Sequence, residues 1–142
     1  MTIAVILQRK GHEVVHLSPD TTLQAAAALL MERRIGCAPV IDGGTVVGIF
    51  SERDVVRSVG AKGASVLDQP ISSEMTSPAV TVAPDMRVLA ALSLMTQRRI
   101  RHLPVLDGGR MVGFVSIGDL VKYRMDRIES EAAAMRDYIQ GA

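Results

Sequence analysis

The 142-residue chain has no tryptophan, two phenylalanines and two tyrosines. A protein that binds single-stranded nucleic acid by stacking bases on aromatic rings would carry more of them. Charge of one sign is also missing. Sixteen basic residues against fifteen acidic ones leave a net charge of +1, without the concentrated positive surface of a nucleic-acid binder. The single cysteine, Cys37, excludes an internal disulfide and any cysteine-rich zinc site. His12, His16 and His102 do not fall at metal-ligand spacing, so no structural metal is expected. Apolar runs are short. Ala25 to Met31 is among the longest, far below the roughly 20 residues that span a bilayer. The apolar stretch from Met1 to Lys10 is followed by no small-residue cleavage site and does not read as a signal peptide. The expectation is a cytoplasmic protein with neither membrane nor nucleic acid as a partner.

What the chain does have is internal repetition. Shifted by 65 positions, residues 15–56 fall on 80–121 without a gap, and 19 of the 42 pairs are identical. Pro19-Asp20 matches Pro84-Asp85, and Arg33-Arg34-Ile35 matches Arg98-Arg99-Ile100. Pro39-Val40 matches Pro104-Val105, and Asp42-Gly43-Gly44 matches Asp107-Gly108-Gly109. Ser51 and Asp54 match Ser116 and Asp119. Two copies of one folding unit account for an ungapped match of this density.

Each copy reads as β-α-β-β-α. Val14 to Leu17 is a β-branched run that predicts a strand, and Ser18-Pro19-Asp20 stops it and leads into a helix over Leu23 to Arg34. Ala38–Ile41 and Val46–Phe50 are two more strands around a glycine-rich hairpin turn. Ser51-Glu52-Arg53-Asp54 opens a second helix through about Val59. The second copy predicts strands at 79–82, 103–106 and 111–115, and helices over 88–99 and from 117 onward. A three-stranded unit of this size cannot cover both faces of its sheet, whereas two copies packed sheet to sheet can. The predicted architecture is an α/β (α+β) globule with internal pseudo-two-fold symmetry. Its divisions are a first repeat over 1–60 with an N-terminal lead-in helix, a linker with a short helix near Ile71–Met75 over 61–78, a second repeat over 79–124, and a C-terminal helical extension over 125–142. In that extension Val121, Met125, Ile128, Ala132, Met135 and Ile139 recur at 4-3-4-3-4 spacing with charges on the other faces. Such a seam packs either on its own globule or on a second subunit. The small size of the globule favours a second subunit, hence a homodimer.

The stretches Arg33-Arg34-Ile35-Gly36-Cys37-Ala38-Pro39-Val40-Ile41-Asp42 and Val47-Gly48-Ile49-Phe50-Ser51-Glu52-Arg53-Asp54 resemble the CBS domain, named for cystathionine β-synthase. So do Arg98-Arg99-Ile100-Arg101-His102-Leu103-Pro104-Val105-Leu106-Asp107 and Val112-Gly113-Phe114-Val115-Ser116-Ile117-Gly118-Asp119. The pair resembles a Bateman module, and with no catalytic domain attached the chain is similar to stand-alone CBS-pair proteins of bacteria. The resemblance implies a non-catalytic regulatory module that binds AMP, ADP or ATP between its repeats and passes the change to a dimer or an unknown protein target. It also admits S-adenosylmethionine or NAD(H) as the ligand, or an interaction scaffold with vestigial pockets.

The residues supply candidates for that chemistry. Asp54 and Asp119 can accept ribose hydroxyls, with Ser51 and Ser116 at the openings of helices that favour an anion. Ser-x-x-Asp is equally a plain helix cap. The resemblance implies that each site combines elements of both repeats. Ser51, Arg53 and Asp54 would join Val80, Thr81, Arg101, His102, Leu103 and Pro104. Ser116, Gly118 and Asp119 would join Val15, His16, Gly36, Cys37, Ala38 and Pro39. Arg101 and His102 give the first site its phosphate partners, although each also reads as a surface charge or a core-edge histidine. The second site lacks those cations and is roomier, with His16, otherwise an ordinary strand histidine, for polarity. Cys37 reads as a small buried hydrophobe rather than a redox thiol. On this reading Asp54→Ala removes most of an AMP response, and Asp119→Ala affects a second ligand class more.

Overall fold

The computed structural model describes residues 1–141. The first repeat contains α2 (Leu23–Arg33), β1 (Cys37–Asp42), β2 (Thr45–Ser51) and α3 (Glu52–Lys62), preceded by α1 (Ile3–Lys10). Two short 3-10 turns, Ala64–Asp68 and Ile71–Ser73, connect it to α4 (Val88–Arg98), β3 (His102–Asp107), β4 (Arg110–Ser116) and α5 (Ile117–Gly141). Both hairpins are antiparallel and turn on paired glycines. Gly43 and Gly44 stand at φ 57° and 84°, Gly108 and Gly109 at 60° and 83°, the left-handed values that side chains resist. The hairpins meet through β2 and β4. Among the described residues no helix is long and apolar enough to cross a membrane.

The strands predicted at Val14–Leu17 and 79–82 shrink to one residue each. Leu17 donates to Pro39 O at 2.9 Å and accepts from Ile41 N at 2.8 Å, while Val82 donates to Pro104 O at 3.1 Å and accepts from Leu106 N at 2.8 Å. Residues 14–16 and 79–81, ahead of these bridges, join no ladder, and Pro19 and Pro84, two residues beyond them, have no N–H with which to extend the pairing forward. Each repeat therefore holds a two-stranded ladder with a single parallel bridge on its edge.

Two hydrophobic cores lie under the hairpins. One gathers Leu17, Leu23, Ala26, Leu30, Val40 and Phe50, the other Val88, Ala91, Met95, Leu103, Val105 and Leu120. The segments that precede the repeats are exchanged between these cores. Helix α1 buries Ile3, Ile6 and Leu7 in the core of the second repeat. The linker buries Val66 and Ile71 in the core of the first. The docking is pseudo-symmetric: Ile71 N donates to Thr21 O and Ser72 N to Pro19 O, while Ile3 N donates to Met86 O and Ala4 N to Pro84 O. The acceptors correspond under the 65-residue shift.

Glycine permits the close approach on both sides. A Cβ on Gly48 would lie 2.7 Å from Thr76 O, and one on Gly113 would lie 2.4 Å from Leu7 Cδ2. Helix α5 buries Leu120 and Tyr123 against its own repeat. No residue from Arg124 to Gly141 is buried.

Candidate functional site

The two Ser-x-x-Asp motifs occupy equivalent backbone positions but have different surroundings. Ser51 caps α3 in a reciprocal capping box. Asp54 N donates to Ser51 Oγ at 3.3 Å, and Ser51 N and Oγ donate to Asp54 Oδ2 at 2.9 and 3.1 Å. Asp54 Oδ1 accepts from Arg57 Nη2 at 2.7 Å and from Thr76 Oγ1 at 3.1 Å. Both oxygens are engaged and the residue is 2% exposed. Arg57 also donates to Glu74 O, Ser58 Oγ donates to Glu74 Oε2, and Lys62 pairs with Glu74. Hydrogen bonding from Lys62 holds the Glu74 carboxyl below its ordinary range against the opposing effect of desolvation, helped by Ser58 and by the charges of Lys62 and Arg57. The whole cluster fastens the linker to α3. Asp54 thereby joins α3 to the linker through Arg57 and Thr76.

Asp119 is placed differently. Ser116 N and Lys10 Nζ donate to its Oδ2 at 2.8 and 2.7 Å. Among the described residues no hydrogen bond reaches Oδ1, and the side chain is 28% exposed. Partial burial pushes its carboxyl up, but hydrogen bonds from Lys10 and Ser116 and the Lys10 charge bring it below its ordinary value. It therefore remains a carboxylate at neutral pH. Lys10 Nζ also donates to Phe114 O, which fixes the ammonium at the junction of α1, β4 and α5. A cleft of about 400 Å³ opens here, lined by Ile6, Arg9, Lys10, Asp119, Lys122, Tyr123 and Asp126.

The structure regroups the expected sites. Cys37 pairs with Ser51 across the β1–β2 hairpin, and His102 pairs with Ser116 across β3–β4. Glu52 N donates to Gly36 O, and Ile117 N to Arg101 O. The cationic pair Arg101 and His102 thus stands with Asp119 of its own repeat rather than with Ser51 and Asp54. Gly36 and Cys37 stand with Asp54 rather than with Ser116 and Asp119. Hairpin register forces this, because each first strand begins opposite the end of the second strand, where the Ser-x-x-Asp turn starts. Leu103, Pro104, Ala38 and Pro39 are buried in their hairpins, Val80 packs against the second core, and Thr81, Arg53 and Gly118 are exposed. Val15 and His16 line a separate shallow cleft with Leu29 and Arg33.

Sequence reasoning passed over Lys10, Arg57, Thr76 and Lys122. Two of these carry a readable signal. Arg57 and Lys122 each follow the motif aspartate by three residues, at equivalent positions of the repeats. Lys10 and Thr76 lie outside the duplicated stretch and reach the aspartates only through the exchange of lead-in segments.

His102 is half-buried and stacks on Phe114, with ring centroids 5.6 Å apart. Burial lowers its pKa, and so do the charges of Lys10 and Arg101, against an opposing pull from Asp119. Cys37 is 4% exposed, and burial with the nearby Asp54 charge pushes its thiol up to about 12. A thiol so placed is protonated at neutral pH and is a poor nucleophile. Among the described residues no group of three or more His, Cys, Asp or Glu side chains could hold a metal ion.

A model of the CBS domain matches this chain twice, over residues 9–61 and 71–126. The CBS domain-containing protein YhcV of Bacillus subtilis is 34% identical over 123 residues, covering 87% of this chain and 86% of that protein. A crystal structure of a CBS-domain containing protein from Agrobacterium tumefaciens superposes with a TM-score of 0.84 at 40% identity, covering 87% of this chain and 99% of that one. A CBS domain protein of Pyrobaculum aerophilum, solved in complex with AMP, superposes with a TM-score of 0.74 at 29% identity, covering 84% and 89% of the two chains.

Proposed function

This chain belongs to the CBS-domain family, with two repeats in tandem, and from that premise we propose that it is a non-catalytic nucleotide sensor whose working site is the Asp119 cleft. The observation that carries the reading is the free Oδ1 of Asp119, a carboxylate at a helix opening with Arg9, Lys10 and Lys122 around it. An adenosine phosphate presents ribose hydroxyls, which donate to a carboxylate, and phosphate oxygens, which take ammonium and guanidinium donors. AMP, the ligand of the Pyrobaculum protein, is the first candidate for this chain. The ribose competes with Lys10 for Asp119, and the freed ammonium turns to phosphate. Because Lys10 ends α1, and α1 packs on the core that α5 also closes, binding is read out as a shift of α1 against α5.

Thermal unfolding in the presence of AMP, ADP, ATP, S-adenosylmethionine, NAD⁺ and NADH tests this. A ligand at 100 times its dissociation constant adds about 2.7 kcal/mol to the stability of the folded state. We expect that gain with AMP and its loss in Asp119→Asn. If no nucleotide shifts the folded wild-type protein, the sensor reading is wrong and the chain is an interaction scaffold.

A pH prediction follows from His102. The free protein holds its pKa below 6.5. Burial depresses it most, and a phosphate arriving beside Lys10 offsets the further depression by the Lys10 and Arg101 charges, so the bound form takes up more of a proton than the free form. Affinity for AMP then rises as pH falls from 8 to 6, by up to about tenfold for each unit by which the phosphate lifts the histidine. Comparing wild type with His102→Gln by titration calorimetry separates this from the ionisation of the phosphate itself, near pH 6. Identical slopes in the two proteins would remove His102 from the site.

A further inference from the structure

The outer half of α5 buries no residue. Leu120 and Tyr123 are its buried residues, and beyond them the helix runs on to Gly141. A helical segment of this length without packing is marginal in water. Its apolar seam is nevertheless continuous. Val121, Met125, Ile128, Met135 and Ile139 are 41–66% exposed, and Ala132 between them is also exposed. With Met125, Ala132 and Ile139 at heptad position a and Val121, Ile128 and Met135 at d, the buried Leu120 and Tyr123 fall at c and f. The helix therefore turns one face to its own core and the opposite, apolar face outward.

The flanking charges identify the occupant of that face. Arg124 and Glu131 stand at g, and Lys122, Glu129 and Arg136 at e. In a parallel pair of identical helices each g residue meets the e residue five positions further along the other helix. Arg124 then meets the second copy's Glu129, and Glu131 meets the second copy's Arg136. Two-fold symmetry makes four pairs of opposite charge. An antiparallel pair that buries all six seam residues sets Glu129 against Glu129, Glu131 against Glu131 and Lys122 against Arg136. Sliding that pair by one heptad relieves the repulsion but leaves Met135 and Ile139 off the interface. We infer that the outward face of α5 is the seam of a parallel two-stranded coiled coil with a second copy of this chain. This goes beyond the nucleotide reading and does not depend on it.

Sedimentation equilibrium and cysteine cross-linking of the full chain test the inference. The wild type sediments as a dimer, and Ile128→Glu, an exposed position within the chain, gives a folded monomer by circular dichroism. Arg124→Glu and Glu129→Arg each weaken the dimer by about 5- to 30-fold, the loss of two exposed pairs with repulsion in their place. The double variant Arg124→Glu/Glu129→Arg restores it, because the parallel register re-forms the pair with its signs reversed. Met135→Cys cross-links to its own copy on mild oxidation, and buried Cys37 does not compete. A monomeric wild type overturns the inference. So does a dimer in which Met135→Cys stays uncross-linked or the double variant is no better than either single one, since its interface would then lie elsewhere or run antiparallel. None of these readouts involves a nucleotide, so their failure leaves the sensor reading standing.

Discussion

Asp54→Ala is expected to lower stability by about 2 kcal/mol and the midpoint of thermal unfolding by about 7 °C. The carboxylate is 2% exposed, and each oxygen accepts two hydrogen bonds. Removing it deletes the acidic half of a capping box, a change worth about 1 kcal/mol. Ser51 Oγ and Thr76 Oγ1 lose an acceptor as well, but Thr76 is exposed and Ser51 half-buried, so water replaces much of the loss and the further cost is about 1 kcal/mol. Arg57 adds less, since its side chain is 55% exposed and water takes over its charge. At the equivalent position of the other repeat, Asp119→Ala should cost only about 1 kcal/mol, because Lys10 and Asp119 are 38% and 28% exposed. Urea unfolding of the two variants checks the contrast. If Asp54→Ala unfolds like wild type and instead abolishes the response to nucleotide, Asp54 is a ligand residue and its structural assignment fails.

Gly48→Ala is the second large effect, at about 2–3 kcal/mol. The new Cβ would stand 2.7 Å from Thr76 O and 2.9 Å from Met75 Sδ. The sulfur ends a flexible chain and can move. The carbonyl cannot, because it accepts from Ile49 N at 2.9 Å while Thr76 N donates back to Ile49 O at 3.0 Å. Displacing it opens the bridge that seats the linker on the first repeat and loosens the Thr76 bond to Asp54. Gly60→Ala provides the comparison. It sits in α3 with nothing within 4 Å of its Cβ, so the substitution should stabilise by about 0.5–1 kcal/mol. Equal and small effects at the two glycines would mean that the linker is not held against β2 as described.

The parts of this fold that read from sequence are those set by neighbours along the chain. Asp42-Gly43-Gly44 announces its hairpin because only glycine takes two consecutive left-handed positions cheaply. The motif Ser51 to Asp54 announces a helix opening because its hydroxyl and carboxylate bond locally. Duplication then doubles every such signal. What did not read is non-local. The run Val14–Leu17 has strand composition, yet only Leu17 finds a partner, and composition says nothing about where a neighbouring edge ends. That Arg101 and His102 lie beside the Ser116–Asp119 turn follows from the register of their own hairpin, which no local signal in the sequence gives. The unequal fates of Asp54 and Asp119 depend on Thr76 and Lys10, two residues outside the repeat whose placement nothing nearby in sequence dictates.

The exchange of lead-in segments bears on where such a protein comes from. A half-length ancestor with one repeat and the segment before it would have no place of its own to dock that segment, because each core receives the arm that precedes the other repeat. Two such ancestors could complete each other only by trading arms, as swapped dimers do. Joining them into one chain makes the trade intramolecular and independent of concentration. It also frees the copies to differ, and in this chain Asp54 is bonded at both oxygens while Asp119 leaves Oδ1 open. In a single chain the exchanged arms thus do within one molecule what two separate half-length chains would have to do by association.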